Sequence, residues 1–389
     1  MNKEERKAML ASAFEKAYGV KPVFWSRAAG RVDLMGSHTD YNMGYVMTMT
    51  TDMDTWIAAR PRTDRRVCVR SLNVGGESLF SLDNIDHDAD TPWSNYIRGM
   101  ADALQEAGYV LQGFDGLVHS TVPFGSGLSS SAALEMAVGI SFQQVSGIEL
   151  EAVEMALLGQ KAENDFVGVN TGILDQYSSA LGRENCALQL DCRNLTSVSV
   201  PIAEGLQVVV CDTRAKRHLV GSEYDDRRAQ CEEGVLILQK RTPGIKALRD
   251  LSIEQFASFE SEMPPLVAKR CRFIIEENQR VLDLAPVLSS GDADALHELF
   301  LASYLGARDL FEIGAPAMEA MERAMLESPV VVAARQAGAG FGGCMVAIVE
   351  EDNVSQFREQ VQQTYLRATG REPRTFPLTA SPGAGPLLF

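Results

Sequence analysis

No lysine- or arginine-rich block occurs anywhere in these 389 residues, and the formal net charge is −16. Clustered positive charge is what draws nucleic acid or an anionic membrane surface, so neither is expected as a partner. Anionic small ligands stay admissible, because a pocket can be positive inside an acidic protein. No apolar run approaches the ~20 residues of a membrane-spanning helix. The N-terminus, "MNKEERKAMLASAFEKAYG", is charged and spaces Met9, Leu10, Phe14 and Ala17 as an amphipathic helix. It lacks an apolar h-region, so no signal peptide is expected and the location expected is the cytoplasm. The seven cysteines (68, 186, 192, 211, 231, 271, 344) are scattered, odd in number and without a CxxC pair, as suits reduced structural thiols. The five histidines show no HExxH or HxH spacing, which argues against zinc. GxxxxGK[ST] is missing, so there is no Walker A loop. Long Pro/Ser linkers and low-complexity segments are missing too.

What remains is ordinary globular material, 46% apolar and 23% charged, long enough for two or three domains around a sizeable core. Strand patterns are "KPVFWSRA", "VMTMT", "TWIAARP", "RVCVRSL" and "GLVHSTV", which suggest an antiparallel or mixed sheet. Helical patterns follow in "WSNYIRGMADALQEAG", "SSAALEMAVGISFQQVSG" and "EAVEMALLGQKAENDFVG", the last with Val153, Ala156 and Leu157 on one face. "CALQLD", "TSVSVPI" and "LQVVVCDT" read as strands, and the chain from about 220 to 327 as mainly helical. "VVVAARQAGAGFGGCMVAIVE" reads strand, glycine loop, strand, with one more helix and a tail behind it. Composition shifts near residue 200, so lobes of 1–202 and 203–389 are expected in an α+β protein. An uninterrupted parallel Rossmann sheet does not fit.

Four stretches carry chemistry. "GRVDLMGSHTDYNMGYV" (30–46) sets Ser37, His38, Thr39, Asp40, Tyr41 and Asn42 between Gly36 and Gly44, far more polar function than a turn needs. It is either a decorated surface turn or a ligand-facing loop. "VPFGSGLSSSAALEMAV" (122–138) leads Gly125 and Gly127 into Ser129, Ser130 and Ser131 and then a helix. Glycines let backbone approach an anion, and helix N-terminal amides with neighbouring hydroxyls hold it, so this reads as a phosphate cradle without a lysine. A plain serine N-cap would need only one serine. "GAGFGG" (338–343) matches GxGxxG, but a strand rather than a helix follows it; the residues alone leave open a hairpin closing over a ligand or simply a tight hairpin. In "AENDFVGVNTGILDQYSSA" (162–180), Glu163 and Asp175 are carboxylates whose value lies in being near a phosphate cradle. Phosphoryl transfer needs oxygen ligands for a divalent cation and a carboxylate that orients the attacking hydroxyl. Ser131 with Glu163 could hold Mg²⁺, and Asp175 could face the acceptor.

Together these stretches resemble the signature set of the GHMP small-molecule kinases, and within them the galactokinase family. "PWSNYIRG" (92–99), "GILDQYSSALG" (172–182), "LDCRNL" (190–195) and "RHLVGSEYDDRRAQCEE" (217–233) agree, so the resemblance runs in order from about residue 20 to 385. It implies a two-lobed GHMP kinase fold, with an N-terminal α/β lobe whose mixed sheet is ribosomal-protein-S5-like. A C-terminal α+β lobe would complete it, with the active site between the two. The reaction implied is transfer of the ATP γ-phosphoryl group to the anomeric hydroxyl of a galactose-configured sugar, by a monomer whose partners are that sugar and ATP·Mg²⁺. Asp175 matches the catalytic carboxylate, and Arg31 the arginine beside it that would favour its ionised form and the charge on the moving phosphoryl group. Ser131 and Glu163 match the metal positions. Gly125, Ser126, Gly127, Leu128, Ser129, Ser130 and Ser131 match the phosphate loop, and Trp93 and Tyr96 the adenine pocket. Ser37, His38, Asp40, Gly172 and Tyr224 match the sugar contacts.

The sequence departs from the family's pattern in three places. Ser37 stands where a glutamate holds the sugar's C6 hydroxyl, Thr171 where a cysteine is usual, and Ala337 where a threonine is. Losing a charged acceptor there would forfeit about 1.5–3 kcal/mol if nothing compensates. Galacturonate or L-arabinose therefore stand beside galactose as substrates. A non-catalytic sugar sensor is the alternative of another class; the intact Arg31, Glu163, Asp175 and serine run favour an enzyme.

Overall fold

The computed structural model describes residues 1–215 and 221–389, so positions 217–220 of the stretch noted above lie outside the described residues. The chain opens with α1 (Lys3–Tyr18), started by a capping box between Asn2 and Glu5 and ended by Gly19 at φ 72°. Its buried Leu10 and Phe14 pack on Trp56, Ala58 and Leu117 of the first sheet. That sheet contains β1 (Phe24–Met35), β2 (Tyr45–Pro61), β3 (Arg66–Ser71) and β4 (Glu77–Ser81). After α2 (Asn95–Glu106) comes β5 (Phe114–Ser120), then α3 (Ser130–Ser146), α4 (Ala152–Lys161) and α5 (Leu174–Leu181). The strands β6 (Cys186–Asp191) and β7 (Thr196–Pro201) complete this half.

The patterns "VMTMT" and "TWIAARP" are one strand. The intervening "TDMD" holds a bulge: β1 pairs antiparallel with β2 on both sides of it, Ala29 with Asp54 and Arg31 with Thr50, while Thr51, Asp52 and Met53 have no partner in β1, and a second register shift follows between Asp33 and Met35. The two ends of β2 then diverge, residues 55–61 pairing with β5 and residues 45–48 with β6. β3 pairs parallel with β5, which makes the sheet mixed.

The second half begins with β8 (Leu206–Asp212) and continues through α6 (Gly221–Gln239), α7 (Ile253–Ala257), α8 (Pro265–Ser290), α9 (Ala293–Asp309) and α10 (Pro316–Leu326). The strands β9 (Val331–Gln336) and β10 (Cys344–Glu350) form the glycine-looped hairpin, followed by α11 (Val354–Thr369) and β11 (Arg374–Leu378). The second sheet is antiparallel in the order β11-β8-β10-β9. The expected division at 202/203 falls in the turn between β7 and β8. The last strand, β12 (Gly385–Pro386), returns to pair with β1. Among the described residues no helix is long and apolar enough to cross a membrane.

One apolar cluster joins the halves. Val32, Leu34 and Met35 of β1 pack with Val208 and Val210 of β8, Val281 and Leu284 of α8 and Val346 of β10. Beside it runs a buried polar tie. Arg335 of β9, with no exposed surface, donates to Leu34 O at 2.7 Å and to Ser37 Oγ at 3.0 Å. Its ionic partners are Glu277 of α8, at 3.4 Å, and Asp33, at 3.9 Å. Glu277 also accepts from Gly36 N–H, Ser303 Oγ and Arg280 Nε. Burial works against the Glu277 carboxylate, but Arg280, Arg335 and Ser303 outweigh it and hold its pKa below the usual glutamate range. This tie fixes the start of the polar loop against the second half.

Candidate active site

Arg31 leaves β1 where the register slips, and its backbone N–H donates to Leu128 O at 3.1 Å. The strand thereby holds the loop of residues 125–131 from beneath. The Arg31 side chain reinforces this, with Nη1 donating to Gly127 O at 2.6 Å. Its Nε and Nη2 both donate to Asp175 Oδ1, at 2.8 and 2.5 Å. Asp175 is in the first turn of α5, and its Oδ2 accepts from Ser129 Oγ at 2.5 Å. Arginine, carboxylate and serine thus form one unit with the glycine loop.

In that loop Gly125, Gly127 and Ser129 take positive φ values of 70°, 81° and 54°. Alternating left-handed residues curl successive N–H groups into a concavity suited to an anion, directly ahead of the α3 N-terminus. Ser129 stands at the N-cap position, yet its side chain makes no capping bond and goes to Asp175 instead. The simple N-cap reading therefore fails here. The unfavourable backbone of a non-glycine residue at positive φ is held in place by that bond.

Glu163 lies in a wide π-helical turn (Ala162–Val167) that prolongs α4. Such turns recur at functional sites, because the extra residue re-aims side chains. Its Oε2 accepts from Gln176 Nε2 at 2.6 Å and from Thr171 Oγ1 at 3.3 Å. Burial raises the Glu163 pKa to about 7, with the Asp175 charge adding to it and Gln176, Ser131 and Thr171 partly offsetting it. The region is thus short of positive charge, and its hard oxygen donors suit a hard dication.

The polar loop of residues 36–44 faces the same space. Asp40 opens a short 3-10 turn (Asp40–Asn42). Its pKa is raised to about 6 by burial, against the Tyr41 N–H and with the help of the Asp175 and Asp33 charges. Asp40 sits hard against the backbone of Gly172, where an added Cβ would lie 2.6 Å from the Asp40 Cγ. Only glycine fits there. His38, itself at φ 69°, bridges Tyr41 Oη at 2.7 Å and Ala339 O at 3.0 Å. The carbonyl can only accept, so Nε2 carries the proton and Nδ1 accepts from the tyrosine. Burial drops the His38 pKa to about 4, so the ring is neutral at physiological pH. Tyr224 of α6 packs tilted against His38 and edge-on against Tyr41, with ring centroids 5.4 and 5.2 Å away. Ser37 is buried, donating to Asp33 Oδ2 at 2.6 Å while Arg335 donates to it.

These elements enclose a cavity of ≈ 580 Å³. Its wall contains Arg31, Ser37, His38, Asp40, Gly125, Gly127, Ser129, Ser130, Ser131, Gly172, Asp175 and Tyr224. Ser126 and Leu128 are buried parts of the loop, and Glu163 sits behind the wall bonded to Ser131. Trp93 and Tyr96 are outside the wall; burial raises the Tyr96 pKa to about 12, with the nearby Glu163 and Glu135 charges adding to it, while Trp93 packs on the first half's core. The hairpin is more than a tight turn, because Gly338 and Ala339 line the cavity and Ala339 holds His38. Sequence reasoning missed Asp33, Asn170 and Asp225 in the wall, and passed over Thr171 as a mere departure. Asp33 had one signal, an acid at a strand position flanked by Val32 and Leu34.

Comparison with known proteins gives the same picture. Family models match for the GHMP kinases N terminal domain over residues 95–183, for the galactokinase galactose-binding signature over 12–61, and for GHMP kinases C terminal over 284–367. The galactokinase of Roseiflexus sp. (strain RS-1) is 42% identical over 97% of this chain and 97% of its own. That of Chloroflexus aggregans (strain MD-66 / DSM 9485) is 43% identical over 96% and 95%. Among solved structures, Lactococcus lactis galactokinase complexed with galactose superposes with a TM-score of 0.93 at 34% identity, covering 98% of this chain and 100% of that one. A mevalonate kinase at 14% identity, TM-score 0.63, covering 92% and 99%, shares the fold.

Proposed function

The chain belongs to the galactokinase family of the GHMP kinases, and we propose on that premise that it moves the γ-phosphoryl group of ATP onto the C1 hydroxyl of galactose. The observation that carries the reading is the Arg31–Asp175–Ser129 unit, tied through Gly127 O to the curled glycine loop and opening on one cavity. The loop and the α3 N-terminus receive the phosphates. Among the described residues Asp175 Oδ2 accepts only from Ser129, so a lone pair remains for the sugar's C1 hydroxyl. As the O1–phosphorus bond forms and the bond to the β-phosphate oxygen breaks, that proton passes to Asp175, and ADP leaves. Arg31 stands beside both the carboxylate and the loop, where charge develops on the transferring group. Ser131 and Glu163 would hold Mg²⁺, which supplies neutralisation of phosphate charge. Two protein oxygens are enough, because Mg²⁺ sites are commonly completed by substrate phosphate and water. Trp93 and Tyr96 are assigned to the adenine side, Asp40 with Gly172, His38 and Tyr224 to the sugar ring, and Ser37 to its C6 end.

The test is turnover of galactose, galacturonate, L-arabinose and N-acetylgalactosamine with Mg·ATP, read by ADP release and by NMR at C1. Galactose 1-phosphate is the expected product. Background turnover of every sugar despite measurable binding would identify a sensor instead.

Gly172→Ala is expected to raise the galactose KM about 10–100-fold, in line with the cost of misplacing a substrate contact by about an ångström. The ATP KM should stay put, since Asp40 rather than the loop is displaced; steady-state kinetics in both substrates separates the two.

Asp40 also sets a pH dependence. In the free enzyme its pKa is about 6, so below that pH it is a neutral acid that has lost acceptor capacity for sugar hydroxyls. With Mg·ATP saturating, kcat/KM for galactose should fall towards tenfold per pH unit below about 6. Bound sugar donates to the carboxylate and lowers its pKa, so kcat should hold to lower pH than kcat/KM. Identical profiles for the two parameters would contradict this.

A further inference from the structure

The C6 end of the cavity has an acid that the sequence motif does not account for. Asp33 projects from β1, is 1% exposed, and lines the cavity with Ser37. Its two oxygens differ. Oδ2 accepts the Ser37 hydroxyl at 2.6 Å and the Gly338 N–H at 3.3 Å. Oδ1 is buried with no hydrogen-bond partner among the described residues, and its ion-pair partner there, Arg335 Nη1, is 3.9 Å away, too far for a hydrogen bond. Asp33 lines a substrate cavity, and a buried carboxylate oxygen without a donor in such a residue is an acceptor in want of one.

We propose that Asp33 Oδ1 is the acceptor for the sugar's C6 hydroxyl, and that Ser37 is its positioning residue rather than a substrate contact. The assignment rests on the sugar-kinase reading above, which puts C6 at Ser37. The short Ser37 side chain makes this possible. Its single proton is spent on Asp33, and its lone pair receives Arg335 Nη2, so the serine orients the carboxylate and spaces it from the guanidinium. Arg335 is in turn engaged by Leu34 O and Glu277 and reaches Oδ1 only as an ion pair at 3.9 Å, which leaves Oδ1 without a hydrogen-bond donor among the described residues.

The substrate class follows. A C6 carboxylate would face the Asp33 carboxylate and lose its like-charge contest, so a hexuronic acid is excluded where Ser37 alone would admit it. A pentose would enter but leave Oδ1 buried and unpaired, and sites built to bond a hydroxyl reject analogues that lack it. The preferred sugar has an uncharged C6 donor.

The experiment measures kcat and KM of wild type, Asp33→Asn and Ser37→Ala on galactose, L-arabinose and galacturonate. Wild type should prefer galactose to L-arabinose by at least about 10-fold in kcat/KM. Asp33→Asn should lose about 10–100-fold on galactose, chiefly in KM, while L-arabinose changes by less than about 3-fold and galacturonate gains ground. Ser37→Ala should show the same galactose-selective loss, smaller, and it carries the test if Asp33→Asn fails to fold. Equal losses on galactose and L-arabinose would reduce Asp33 to a structural residue and overturn the proposal. So would a wild type that prefers L-arabinose or galacturonate, with the kinase reading intact. A wild type inactive on all three sugars would remove the kinase reading and this assignment with it.

Discussion

Asp175→Asn should lower kcat on galactose by about 10³-fold, within the range general-base removal produces, while the ATP KM shifts by less than about 3-fold. The argument is local. Asparagine keeps the shape, and its carbonyl can still take both Arg31 donors. The amide then faces Ser129, whose hydroxyl can turn from donor to acceptor, so the unit stays assembled. What is lost is the charge and the lone pair aimed at the sugar hydroxyl. The phosphate loop, held by Arg31 through Gly127 O and Leu128 O, is untouched. Steady-state kinetics with a nucleotide-binding titration reads both halves of the expectation. Retained turnover would remove Asp175 from the chemistry. Equal loss of nucleotide binding would mean that the substitution had disturbed the loop.

Asp175 could be found from sequence because it and its partners each lie in short, recognisable strings, although Ser129 and Arg31 are 46 and 144 residues away along the chain. The same holds for the strand–glycine loop–strand of residues 330–350 and for α3. Three kinds of feature were hidden. The short edge strands β4, β11 and β12 have no alternation long enough to register, and β12 exists only because the chain end returns to β1. The continuity of β2 across "TDMD" depends on pairing with β1 on either side of a bulge, at Asp54 and at Thr50, since local propensity favours a break there. Asp33 is the third kind. Its meaning comes from Gly338 and from Arg335 held on Ser37, contacts 305 and 298 residues away along the chain. Ser37 read alone suggests a neutral C6 pocket; read with Asp33 behind it, it suggests an acidic one. Substrate class is inferred from the pair, and the pair is a product of folding.

The same buried ions bear on stability, and here the second large effect is expected. Glu277→Ala should cost about 3–5 kcal/mol, because it takes from the buried Arg335 its nearer counter-ion, leaving only Asp33 at 3.9 Å, and takes from Arg280 its shortest carboxylate contact. The cost comes from desolvated charge left poorly paired and not from the worth of the bridge itself. Replacing Glu277 and Arg335 together by leucine removes both charges of that pair but leaves Asp33 buried without its guanidinium, so it should recover part of the loss and not all of it, which denaturant unfolding of the two variants would show. A double variant no more stable than Glu277→Ala would mean that the tie contributes through its bonds to Gly36, Ser37 and Leu34 instead. The sign with pH is fixed by the lowered pKa of Glu277 in the folded protein. Its contribution is present at neutral pH, above the unfolded value of about 4.3, and is lost as pH falls through the folded one. Glu277→Ala should accordingly be less sensitive to acid than wild type over that interval. Gly36 and Ser37 sit on this tie, so the galactose KM should rise in the same variant, coupling the grip between the lobes to the C6 end of the sugar site.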